Sequence, residues 1–134
     1  MNRAFLCSAI EGLVSPYGYH FTMNDESCYP TTVSRYPAAF MLPPEFVGME
    51  GRRRGRLTYK VTLRLSRQGA KLSPTERNSL LAEMEQQLTE MFVALSRSER
   101  VAVVENLTIR PVAGVVDHHG AIAMEAQAKI ETIF

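Results

Sequence analysis

The chain has 134 residues, 46% of them hydrophobic and 22% charged, which fits one domain around a single core and leaves no comfortable room for a second. A formal net charge of +1 argues against a uniformly basic nucleic-acid binder and against an acidic disordered tail. No apolar run reaches the roughly 18 residues needed to span a bilayer, and the amino terminus lacks a signal-peptide pattern, so a soluble intracellular protein is expected.

Phe5, Leu6, Ala9, Ile10, Leu13 and Val14 recur at helical spacing, which predicts an amphipathic helix over Asn2 to Val14, ended by Ser15-Pro16 and Gly18. Tyr19 to Met23 is short and β-prone, and Asn24-Asp25-Glu26-Ser27 opens a polar loop running through Pro30. A strand is expected from Tyr36 to Leu42, stopped by Pro43-Pro44. The stretch from Pro43 to Gly55, with its prolines, glycines and arginine triplet, reads as a long connector.

From Arg56 to Arg67, Leu57, Tyr59, Val61, Leu63 and Leu65 alternate with Thr58, Lys60, Thr62, Arg64 and Ser66. That pattern predicts a long strand with one dry face and one wet, basic face. Ser73-Pro74-Thr75-Glu76 then supplies an N-cap, a proline at the first helical position and a capping-box glutamate. Leu80, Leu81, Met84, Leu88, Met91, Phe92 and Leu95 mark the apolar face of the helix that follows. Two strands, about Leu107 to Val116 and Ala121 to Phe134, close the chain around the turn Asp117-His118-His119-Gly120. Pro111 places the first of them at an edge or bulge. The expected fold is α+β: a single domain in which two helices pack on one face of a mainly antiparallel, four- to five-stranded sheet.

The near-neutral average hides a lopsided distribution. Gly51 to Lys71 holds Arg52, Arg53, Arg54, Arg56, Lys60, Arg64, Arg67 and Lys71 with no acidic residue, which leaves the remainder acidic. The last strand turns Glu125 and Glu131 outward beside Gln127 and Lys129. A chain with complementary segments can associate head to tail with copies of itself, or pair those charges internally.

Chemistry is poorly supported by the sequence. His118 and His119 adjoin Asp117, but neighbours on an extended chain point to opposite faces and no metal-ligand spacing is present, so a polar turn is the better reading. No cofactor-binding element, nucleophile elbow or phosphate loop occurs. Glu83, Glu85 and Glu90 read as a solvated helix face, and Met84 and Met91 as core filler. Cys7 and Cys28, without CxxC spacing, are expected to be free thiols. The Asn106-Leu107-Thr108 sequon is read as chance.

The order of elements resembles the small tail-terminator, or tail-completion, proteins of long-tailed bacteriophages and prophages, and related head-tail joining proteins. The resemblance rests on the helix Asn2 to Val14, the proline-led strand from Tyr36-Pro37-Ala38 and the alternating strand Leu57 to Leu65. The capped helix from Ser73-Pro74-Thr75-Glu76 and the terminal strand to Phe134 complete it. It implies a non-enzymatic virion assembly protein without cofactors, a subunit of a commonly hexameric ring that closes the tail tube and contacts tail-tube or connector proteins. DNA would pass through that ring, and the protein would occupy the host cytoplasm during assembly and then the virion, with no membrane partner. The polar stretch Asn24 to Ser34 is longer than a simple connection and departs from this layout.

In this reading the subunit or partner contacts are Arg52, Arg53, Arg54, Arg56, Lys60 and Arg64 on one copy and Glu125 and Glu131 on the next. Reversal of Arg64 to Glu is then expected to weaken assembly more than folding. The alternative is a small nucleic-acid-binding α+β module using the basic loop Arg52 to Arg56, because such clusters bind phosphates in a salt-dependent way. Tyr59 is expected on the dry face, where it offers no base-stacking platform.

Overall fold

The alternating segment forms the spine of the sheet. In the computed structural model, which describes residues 2–28, 35–51, 55–112 and 120–133, β4 (Arg56–Gln68) pairs antiparallel along its whole length with β6 (Ala121–Ile133). The six-stranded sheet also contains β1 (His20–Met23), β2 (Ala38–Met41), β3 (Glu45–Glu50) and β5 (Val101–Pro111). Its order is β1-β2-β4-β6-β5, with β3 also paired to β4. Every pairing is antiparallel except β1 with β2. The fold is thus α+β, as expected, with one more strand than the expected upper count.

That extra strand is β3. The stretch Pro43 to Gly55, expected as a connector, holds six residues of strand. The cause lies in β4, whose thirteen residues outrun the four of β2. Beyond Leu63 the same edge of β4 needs new partners for its amides and carbonyls, and β3 supplies them from Arg56 to Lys60. Val47 falls in a bulge between the Phe46 and Gly48 positions of that ladder.

Helix α1 (Asn2–Val14) and helix α2 (Pro74–Ser96) pack against the sheet and each other. Leu6, Ile10 and Val14 of α1 and Met84, Leu88, Met91, Phe92 and Leu95 of α2 are buried over Tyr59, Val61, Leu63 and Leu65. Met124, Ala126, Ala128 and Ile130 of β6 lie in register with those β4 positions. The small Ala126 and Ala128 are buried in the same cluster as the apolar face of α2, which suits a helix lying close on a sheet. The capping box is as read from the sequence: the Glu76 amide donates to Ser73 Oγ and the Ser73 amide donates to Glu76 Oε1, both at 3.2 Å.

Two other expectations change. β5 begins at Val101, six residues before the expected Leu107, because the α2 turn delivers the chain directly to the edge of β6. Its ladder is broken by irregularities at Val101/Val103 and Glu105/Thr108, and Asn106 there has φ 55, a left-handed conformation that asparagine tolerates. Pro111 is its last residue, on the outermost strand, where no ladder partner is lost. Finally, the second face of β4 is wet only in part: Thr62, Arg64 and Ser66 are buried, while Lys60 is exposed. A small second cluster of Ala38, Phe40 and Ala123 sits on that far side with Tyr36, Leu42 and Val112. The expected turn Asp117-His118-His119 and the polar residues 29–34 lie outside the described residues, apart from a short 3-10 turn at Glu26–Cys28. Cys7 and Cys28 are not joined by a disulfide.

Candidate subunit-contact surface

Two surfaces are candidates for contact: the charged far face of the sheet and the edge carrying β3. On the far face, register decides which charges meet. Glu45, Lys60, Lys129 and Glu105 occupy one row across β3, β4, β6 and β5. Phe40, Arg64, Glu125 and Arg110 occupy a second row across β2, β4, β6 and β5. The basic face of β4 and the acidic face of β6 are therefore neighbours within one sheet, where opposite-charge cross-strand pairs stabilise.

Arg64 is the centre of this arrangement. Only 7% exposed, its Nη2 donates to Glu26 Oε1 at 2.8 Å and to Glu125 Oε1 at 2.9 Å. Burial alone pulls its pKa down, but the hydrogen bonds and charges of the two glutamates outweigh that and leave it raised. At the other end of β4, Arg56 Nη1 donates to Glu131 Oε1 at 3.0 Å. Arg56, Arg64, Glu125 and Glu131 thus each have an ionic partner within the same chain. The physical reason is the β4–β6 register, which the sequence does not reveal until the two strands are known to be adjacent. Lys60 stays exposed in its row. Arg52, Arg53 and Arg54 lie outside the described residues.

The β3 edge differs in kind. It has no strand partner other than β4 among the described residues, and Phe46, Val47 and Met49 are 53%, 48% and 62% exposed. Exposed apolar residues on an unprotected strand edge mark a contact surface or an aggregation hazard. Phe46 meets the Tyr59 ring edge-on, with centroids 5.9 Å apart, and Met49 lies in register with Leu57. The Arg3 guanidinium of α1 stands 5.6 Å from the centroid of the same Tyr59 ring. Alongside is a hollow of about 800 Å³ lined by Arg3, Leu57, Tyr59, Arg100 and Ile133. Its wall is pinned by a short relay: Arg100 Nη2 donates to Asn2 Oδ1, Asn2 Nδ2 to Thr132 Oγ1, and Thr132 Oγ1 to the Leu57 carbonyl.

Sequence reasoning missed Phe46, Val47 and Met49. The available signal was a run of large apolar residues bounded by Glu45 and Glu50 inside a supposed loop, where no core could use them.

On the opposite flank, α2 and β5 enclose a groove of about 580 Å³ with Leu107 and Ile109 at its floor and Glu85 and Glu90 among its walls. Glu90 Oε2 accepts from the Tyr17 hydroxyl at 2.8 Å, which raises that phenol's pKa. Nearby, the Tyr19 hydroxyl donates to Gln87 Oε1 and accepts from Arg67 Nε at 3.1 Å, tying the residue that leads into β1 to β4 and α2. Among the described residues no group of three or more His, Cys, Asp or Glu side chains is placed to hold a metal ion, and no helix is long and apolar enough to cross a membrane. No family model matches the chain, and no curated protein matches it either.

Proposed function

We propose that this protein is a non-enzymatic assembly subunit that forms a homo-oligomeric ring, and that its setting is the tail end of a phage or prophage particle, as a tail-terminator or head-tail joining component. The observation that carries the reading is the β3 edge: a six-residue strand without an outer partner among the described residues, exposing Phe46, Val47 and Met49. These side chains are already about half buried, so leaving them uncovered forgoes roughly half of the about 1.5 to 3 kcal/mol that full burial of each brings, a loss that a partner surface recovers. The resemblance in element order supplies the phage setting. Nucleic-acid binding through Arg52 to Arg56 gains nothing from the described geometry, because Arg56 is engaged with Glu131.

The test is solution mass by light scattering after size exclusion, at two protein and two salt concentrations. A closed oligomer of several 15.0 kDa subunits is expected. A monomer under all four conditions, with no co-migration when phage tail-tube protein is added, refutes the reading.

A further inference from the structure

The two flanks of the sheet are unlike and complementary. On the β3 flank, Phe46 and Met49 project apolar surface beside Arg3. On the β5 flank, the α2–β5 groove offers Leu107 and Ile109 below the carboxylates of Glu85 and Glu90. β3 and β5 lie at opposite edges, separated by β4 and β6, so a subunit carries one of each on opposite sides.

Self-pairing of like edges is disfavoured. Two β3 strands laid antiparallel with full overlap would set Glu45 against Glu50 twice, and like charges directly opposite destabilise a strand pair. Two β5 strands would meet through Pro111, Asn106 and the two irregular stretches of that ladder, devices that blunt an edge against its own kind. β3 against the α2–β5 groove has neither obstacle. Phe46 and Met49 are on the helix side of the sheet, in register with Tyr59 and Leu57, and so reach the side of β5 that carries Ile109, which is in register with Ala126. Arg3 then approaches Glu85 and Glu90, an attraction between unlike patches that selects this orientation.

We infer that β3 of one copy, with Arg3 beside it, docks into the α2–β5 groove of the next copy, making a heterologous head-to-tail contact. This rests on the ring reading above and specifies its interface. Repetition of such a contact closes a ring when the rotation per subunit divides a full turn, and otherwise builds a filament.

The experiment uses two complementary variants, each first checked by circular dichroism for wild-type secondary structure. The patch variant is Phe46→Glu with Met49→Glu, and the groove variant is Ala82→Arg with Glu85→Arg; all four positions are exposed. Should the double patch variant fail to fold, Met49→Glu alone takes its place. Wild type is expected to sediment as an oligomer and each variant as a monomer. An equimolar mixture of the two is expected to give a species of twice the 15.0 kDa chain mass and nothing larger, because only one intact patch and one intact groove can meet. An oligomer that neither variant disrupts refutes this contact and leaves the ring reading standing. A mixture that stays monomeric refutes the head-to-tail geometry, and a monomeric wild type refutes the contact, and the ring reading with it when tail-tube protein does not co-migrate either.

Discussion

Replacing Arg64 with methionine separates a buried ion pair from an exposed one in a single experiment. The substitution keeps most of the aliphatic stem and removes the guanidinium, so packing is largely preserved. It strands two carboxylates of unequal exposure: the Glu125 side chain is 14% exposed and that of Glu26 57%. Breaking a buried pair by removing one partner costs about 3 to 5 kcal/mol. The lower end, about 3 kcal/mol, applies because Gln127 Nε2 still lies 3.5 Å from Glu125 Oε2. For a domain of this size that corresponds to a drop of roughly 10 °C in Tm. Glu26→Gln, which removes only the exposed partner, is expected to cost about 0.5 kcal/mol, roughly 2 °C. Thermal unfolding by circular dichroism at neutral pH reads both. If Glu26→Gln destabilises as much as Arg64→Met, or if Arg64→Met melts within 2 °C of wild type, the assignment of Arg64 as a buried intrachain clamp fails. The same burial reverses the expectation for Arg64→Glu: the larger loss falls on folding, with assembly impaired as a result.

Ser73→Ala should cost about 1 kcal/mol through loss of the hydrogen bond from the Glu76 amide to Ser73 Oγ at the start of α2, the residue-73 amide keeping its bond to Glu76 Oε1, and is read as a shift in the urea midpoint without a change in slope. Leu88→Ala, at a fully buried position between α2 and the sheet, should cost about 3 kcal/mol, and chemical denaturation checks it. Burial pushes the Tyr19 phenol above its ordinary 10.0, with the hydrogen bond from Arg67 opposing. A folded-state pKa raised above the unfolded one gives stability that is fully present below pH 10.0 and lost as pH rises through the raised value. Melting curves from about pH 8 to about pH 11 should therefore fall more steeply for wild type than for Tyr19→Phe, and equal slopes would remove Tyr19 from the alkaline transition.

Much of the scaffold was legible because it depends on local pattern. The α1 stripe, the Ser73 capping box and the alternation of β4 each state their own geometry within a few residues. β3 was not legible, since Glu45-Phe46-Val47-Gly48-Met49-Glu50 has an interrupted alternation, with the bulge at Val47, and sits between Pro44 and Gly51. It is a strand because β4 has unpaired backbone there, a requirement set by chain far away in sequence. The far face was misread for a similar reason. Thr62, Arg64 and Ser66 are polar and look solvated, yet Arg64 is covered and paired by Glu26 and Glu125, distant in sequence in both directions. Part of the charge asymmetry is used within the sheet, where Arg56 and Arg64 of β4 pair with Glu131 and Glu125 of β6. Of the candidate contact residues, Lys60 alone among the described ones remains exposed and without an ion pair in the structure.

The central place of β6 has a consequence for synthesis. Arg56 is paired with Ile133 and Gln68 with Ala121, so β6 is inserted between β4 and β5, which are both made before it. Until β6 has emerged from the ribosome, β4 lacks its longest ladder and β5 has no sheet to join. Contacts of such sequence separation form slowly. During that interval the nascent chain presents β4's apolar row and its open backbone to any neighbour, including another nascent copy on the same message. Translation arrest just before Ala121 would leave a chain with helices but no closed core, and a chaperone that shields β4 until release would raise the yield of folded subunits.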